Sequence, residues 1–376
     1  MLNRREFSLL LAGAAGAKLM PSSLMIAQTV DDTSKLSPQA ADVYNKSLVL
    51  DCNSAPPLQD NLPLPQNMLD MARSCGVTVV KTTLGGFNGD FAATVEDIAF
   101  VQRLVEYHPD YFLQVRTAAD MARAKRENKM GIIASFEAAS MLEDKVERIE
   151  VFRNLGVRVM QLSYNLKSPF GAGVLMPDAG GLTPLGQHAV KKMNELGVAI
   201  DLSHANPKTT ADAMSASTKP VIISHAGCTA IHLHPRNKTD EQIRALADNG
   251  GVMGIYDLPF LTASPKQPTV DDYMAHMDHA LKVAGEDHVG VGSDLGVNPV
   301  DTSPKAMEEF KKEQERRTKS GAAAPEEDRY PYVIGLNTPK RLEVITDQLL
   351  KRGYGGRVAE KVIGANFVRV LTEIWA

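Results

Sequence analysis

A closed (β/α)8 barrel is the fold class this sequence predicts, on three observations. From residue 40 onward, a phrase recurs: an amphipathic helix, a glycine stop, then a short β-branched strand. Eight strand candidates follow, and alternation of strand and helix means a parallel sheet, which closes at eight units. No G-x-G-x-x-G opens a helix and no phosphate-binding loop is present, which argues against a doubly wound open sheet.

In chain order, residues 1–27 come first, with Arg4, Arg5 and Phe7 ahead of an Ala/Gly/Leu run. A paired arginine before an apolar core is the twin-arginine export pattern, so the expectation is a periplasmic protein delivered by that machinery. Cleavage is expected after Ala17 or Ala27, the latter preferred, and residues 28–40 read as a polar leader to a single domain over 41–376. The first strand is Leu48–Asp51. Helix Met68–Cys75, stopped by Gly76, leads into VTVVKTT, and Gly131–Phe136 supplies the third strand. Val151–Leu155 and Gly156 precede VRVMQLSY; His188–Leu196 and Gly197 precede VAIDLSH. Val221–Ser224 is the sixth strand. Glu241–Asn249 with its glycines precedes VMGIYD, and Tyr273–Ala284 with Gly285 precedes VGVGSD. Each phrase has a physical basis, because helix C-termini favour glycine and buried strands favour Val and Ile. The charged, apolar-poor stretch Lys305–Arg329 reads first as a solvated surface helix and loop, with a flap at the site mouth as the alternative. The tail, Thr338–Ala376, is helical and expected to close the outside of the barrel.

Composition narrows the function. With 376 residues, 44% hydrophobic content and a net charge of −4, the chain can bury a large core and has no basic run for nucleic acid. No internal apolar run is long enough to span a bilayer. Cys52, Cys75 and Cys228 cannot complete a disulfide framework and read as small buried packing residues, with a thiol ligand as the lesser alternative for Cys52 and Cys228.

In a barrel of this kind, chemistry sits at the C-terminal ends of the strands. Those positions are Asn53, Gly85, Glu137, Tyr164, His204, His225, Asp257 and Asp294. Glu137, His204 and His225 form a carboxylate–imidazole–imidazole set, a common three-ligand pattern for catalytic zinc that leaves a fourth position to water. Asp294 is placed to take a proton from that water and return it to a leaving group. Arg236 offers a planar fork to a substrate carboxylate. Tyr256 and Asp257 are candidates for the pocket lining, and His232 and His234 read as pocket wall or surface.

These residues bring a family into view. Over roughly 43–376 the chain resembles the membrane (renal-type) dipeptidase family of zinc peptidases. The resemblance rests on SFEAAS around Glu137, GLTPLGQHAVKKMNELG, DLSH at His204, SHAG at His225, PRN at Arg236, GVGSD at Asp294 and GANFVRVL. It implies a (β/α)8 barrel that hydrolyses dipeptides or related small amides, commonly as a homodimer. It also implies Glu137 as a bridge between two zincs, His204 and His225 as ligands of one, Asp294 as acid/base and Arg236 as the carboxylate holder.

Two departures qualify this. The family's strand-one His-x-Asp pair is Asn53 and Ala55 here, so half the protein ligands of a two-zinc site are missing. The family histidine that contacts the scissile amide is Tyr164, a hydrogen-bond donor without positive charge. Asn53 and Tyr256 are then expected beside the substrate. Three readings follow: a one-zinc amide hydrolase, an exported enzyme acting on a peptide-like natural product, and a pseudoenzyme that binds a small carboxylated peptide.

Overall fold

The structure, a computed structural model, describes residues 36–376. The expected signal segment and most of the polar leader lie outside the described residues. The leader reading of 28–40 needs correction at its end, because helix Pro38–Lys46 is capped by the Ser37 side chain and buries Ala40 and Tyr44.

Eight parallel strands form the barrel in the order β1 (Leu50–Asp51), β3 (Val79–Thr83), β5 (Met130–Phe136), β6 (Val157–Gln161), β7 (Ala199–Asp201), β8 (Ile222–Ala226), β9 (Val252–Ile255) and β10 (Val289–Val291). All eight coincide with the strands expected from sequence. The last strand meets the first through the Cys52 amide, which donates to the Val291 carbonyl at 2.9 Å. A second, two-residue ladder joins β2 (Ser54–Ala55) to β11 (Leu295–Gly296) just above this seam. A short extra strand, β4 (Phe112–Gln114), pairs with β5. Glycine stops behave as expected: Gly197 takes φ +61° and its amide closes the preceding helix on Met193 and Asn194, a conformation an L side chain rarely adopts.

Side chains alternate across each strand, so residues two apart share a face. One cluster draws Leu50, Val79, Ile133, Val159, Ala199, Ile222 and Val252 from seven successive strands, which places it inside the barrel. Phe367, Val370, Leu371 and Ile374 of helix Asn366–Trp375 join that cluster. That helix therefore seals the barrel floor, whereas the tail was expected on the outer wall; only helix Arg341–Lys351 follows the expectation, packing on Pro38–Lys46. Two residues further along the strands, the interior turns polar, with Lys81, Ser135, Gln161, Asp201 and Ser224 all buried. The functional groups stand on top of this polar layer. Among the described residues, no helix is long and apolar enough to cross a membrane.

Candidate functional site

The polar layer sets the chemistry above it. Asp201 accepts from the Ser203 hydroxyl (2.5 Å), the Ser224 hydroxyl (2.5 Å) and the Ser224 amide (3.1 Å), while the buried Lys81 ammonium lies 3.6 Å away. Because Ser224 gives its proton to Asp201, its oxygen must accept from His225 Nδ1 at 2.7 Å. His204 Nδ1 faces the Asn165 carbonyl oxygen at 2.7 Å, another pure acceptor. Both histidines thus carry their proton on Nδ1 and present a bare Nε2. The two Nε2 atoms stand 3.1 Å apart. Burial, reinforced by the Arg236 charge, pushes both imidazoles well below their ordinary value, so neither supplies a proton to the gap. Two lone pairs at that distance repel unless a cation sits between or above them.

Glu137 completes the set. Its ligand atom and those of His204 and His225 all lie within 4.8 Å of one another. Its Oε1 accepts from the Thr83 hydroxyl at 2.9 Å and from the Asn53 amide at 2.7 Å, which leaves Oε2 for a ligand. A carboxylate and two neutral imidazoles that converge in this way fit a divalent metal, zinc among them.

Asn53 does not line the cavity as expected. It is fully buried, and its amide nitrogen donates to Glu137 and, at 2.6 Å, to Asp294 Oδ1. One neutral amide thereby spans two carboxylates that would otherwise repel. Asp294 follows β10 with φ +61°, a left-handed conformation that aspartate tolerates better than most residues, and its amide is held by the Asn53 carbonyl at 2.7 Å. Burial and the neighbouring Glu137 carboxylate push its carboxyl up to about 7. Its Oδ2 lies 4.0 Å from His225 Nε2.

Tyr164 stacks on His204, with ring centroids 4.1 Å apart, and lines the cavity. Burial raises its phenol to about 12, so it stays protonated at neutral pH. Its oxygen accepts from Arg317 Nη2 at 3.3 Å. Arg236 also lines the cavity; one guanidinium nitrogen holds the Ser203 carbonyl at 2.5 Å, and Nη2 has no partner among the described residues. Such a free, buried donor is what an incoming carboxylate requires.

Several expectations need correction. Tyr256 is fully buried with its hydroxyl bonded to Asn237, and it is not on the cavity surface. Asp257 is equally buried and faces Arg341, 4.0 Å away, because the chain after β9 turns its side chain from the mouth. Of the two readings for His232 and His234, pocket wall or surface, the pocket wall is not met: they bond Glu326 (2.9 Å) and the Pro325 carbonyl (2.8 Å) and tie down the loop above, with His232 partly exposed. Cys52, Cys75 and Cys228 are buried free thiols. The largest correction concerns Lys305–Arg329. Helix Pro304–Lys319 and the loop after it roof a cavity of about 120 Å³, with Phe310, Arg317, Glu327 and Arg329 on its surface. The roof is a flap after all, not a solvated excursion. Lys81, Asp201 and Asn165 escaped sequence reasoning; the one available signal was a lysine inside a β-branched strand.

A model of the family described as membrane dipeptidase (Peptidase family M19) matches residues 43–316. Dipeptidase tcpJ of Claviceps purpurea (strain 20.1) is 29% identical over 284 residues, which is 75% of this chain but only 60% of the relative's length. The crystal structure of an amidohydrolase from Pseudomonas aeruginosa is 32% identical, covers 89% of this chain and 99% of its own, and superposes with a TM-score of 0.79. A metallo peptidase from Rhodobacter sphaeroides, solved with a phosphinate mimic of the dipeptide L-Ala-D-Ala, shares the fold at 18% identity, with a TM-score of 0.70 over 88% of this chain and 100% of its own.

Proposed function

The chain belongs to the membrane dipeptidase family, Peptidase family M19, and from that premise we propose a one-zinc hydrolase that cleaves the amide bond of a dipeptide or small peptide-like substrate. The observation that carries this reading is the pair of bare Nε2 atoms, 3.1 Å apart beside Glu137. Glu137, His204 and His225 would hold the ion. When bound, zinc supplies Lewis-acid polarisation of the carbonyl and acidifies water. The Asn53 amide supports a single ion, because it already satisfies the two carboxylates that a second cation would need.

The chain's own residues do the rest. Arg236 orients the substrate by pairing its free Nη2 with the C-terminal carboxylate. Tyr164, protonated and stacked on His204, donates a hydrogen bond toward the carbonyl oxygen as negative charge builds there. Asp294, with a carboxyl near neutrality, accepts a proton from water and returns it to the departing nitrogen. A second reading, a binding protein without turnover, is disfavoured because a poised acid/base has no use in binding alone. The proposal includes twin-arginine export to the periplasm, which rests on the Arg4–Arg5 segment, and a homodimer, which rests on the family.

Elemental mass spectrometry of mature protein purified without chelator tests the reading. About one zinc per chain is expected, lost in His204→Ala together with dipeptide or amide hydrolysis. A chain that stays empty when zinc is offered refutes it.

A further inference from the structure

The roof bears on what the acyl half of a substrate can carry. Four acidic side chains line the cavity: Glu137, Asp294, Glu313 and Glu327. Glu137 and Asp294 share the Asn53 amide and belong to the chemistry below. Glu313 is held by both arms of the Arg316 guanidinium at 2.7 and 2.6 Å. Glu327 pairs with Arg317 and also accepts the Ala324 amide at 2.7 Å. Glu137 Oε2 is committed to the ion and Asp294 Oδ2 to proton transfer, so no carboxylate of the roof is left to receive an ammonium group.

Aromatic faces are the other surface that attracts an ammonium. Those of Phe87, Tyr164 and Phe260 are covered. Arg316 and Arg317 lie over the Phe87 ring, 5.7 and 5.6 Å from its centroid, and Arg317 also covers Tyr164 at 5.8 Å. The Phe260 face is stacked on His234 at 4.4 Å. Three guanidinium groups, Arg236, Arg317 and Arg329, line the same cavity. Arg317 is paired with Glu327 and Arg329 with Glu326, so a positive charge entering would find the counter-charges of the roof already committed, whereas Leu258, Pro259, Phe310 and Pro331 offer apolar surface.

We infer that the preferred substrate has no free α-amine on its acyl side: it is an N-acylated amino acid with an apolar acyl group. The inference rests on the hydrolase reading above and narrows it. In the reaction, water oxygen bonds to the acyl carbon and the C–N bond breaks. A carboxylic acid and a free amino acid result, and the departing nitrogen takes the proton.

A matched pair isolates the amine. L-Phe-L-Ala and 3-phenylpropanoyl-L-Ala differ only in replacement of the ammonium group by hydrogen. With zinc-supplied full-length protein, kcat/KM for the desamino compound is expected to exceed that for the dipeptide by at least tenfold. A ratio of one or less overturns the inference while leaving amide hydrolysis intact. Turnover of neither compound, nor of their D-Ala counterparts, removes the hydrolase reading and the inference with it. Arg317→Gln supplies the second arm, since it releases Glu327 and uncovers Phe87 and Tyr164. The ratio is expected to fall severalfold toward the free dipeptide, and an unchanged ratio in an active variant overturns the argument from charge. If that variant fails to fold, the wild-type ratio still decides.

Discussion

Asn53→Asp changes one nitrogen to oxygen and should turn a bridge into a wedge. In the native protein the Asn53 amide donates to Glu137 at 2.7 Å and to Asp294 at 2.6 Å. Hydrogen bonds to charged groups are worth about 1.5–3 kcal/mol each, so losing both costs about 3–6 kcal/mol. The new carboxylate also confronts two others. Unit charges at that separation repel by about 6 kcal/mol per pair at an effective dielectric of 20, a ceiling that proton uptake would relieve. In chelator, the variant should therefore melt on the order of 10 °C below wild type, using a few degrees per kcal/mol for a large domain. Zinc should reverse the loss, because three clustered carboxylates attract a second cation where an amide deters one. The assay is thermal unfolding with chelator and with zinc, paired with elemental analysis expected to rise from about one zinc to about two. Unchanged melting in chelator with unchanged metal content would refute the role given to Asn53.

Two further outcomes are expected. Arg236→Met should lower kcat/KM for a carboxylated substrate by a factor on the order of 100, as loss of one partner of a buried charge pair usually costs 2–5 kcal/mol. The amidated counterpart of the same substrate should be far less affected, and equal losses on both would argue against carboxylate recognition. Asp257→Asn addresses stability: burial raises the Asp257 carboxyl to about 8, and both its oxygens lack a hydrogen-bond partner among the described residues. A folded pKa above the unfolded one gives stability that is full below pH 4 and lost as pH rises through 8. The variant lacks that loss, so its stability relative to wild type should improve by about 1.4 kcal/mol per pH unit between roughly pH 4 and 8, then level off. Parallel pH profiles from denaturant unfolding would show the argument to be wrong.

How much of this was legible beforehand depends on what each element displays. The eight barrel strands were visible because buried parallel strands read as apolar runs, and glycine marks the helix ends before five of them. β2 and β11 were not, since two-residue ladders carry no period. The candidate metal set was legible because Glu137 and His204 follow apolar strands and His225 stands at the end of one. The polar layer was hidden for the opposite reason: Lys81 and Asp201 neutralise each other in the interior, and hydropathy cannot anticipate a pairing across strands. The roof was misjudged because its buried anchor is a guanidinium. Arg317 is only 8% exposed, satisfied by Glu327 and stacked on aromatic rings, so a helix with almost no apolar stripe still covers the site. Asn53 looked like a substrate contact because sequence order does not say which groups a strand-end amide will face.

That roof has an implication for engineering. The barrel supplies the proposed ligands, acid/base and carboxylate clamp from the ends of four strands, β5, β7, β8 and β10, whereas one contiguous segment, residues 304–331, furnishes the ceiling. A change of chemistry would require coordinated edits scattered along the whole chain. A change in the ceiling's share of acyl preference would require only one exchanged cassette, provided the graft keeps the anchor points at His232, His234 and Asn165 that seat it. Libraries confined to that segment would vary what the cavity admits while leaving intact the residues proposed to carry out hydrolysis.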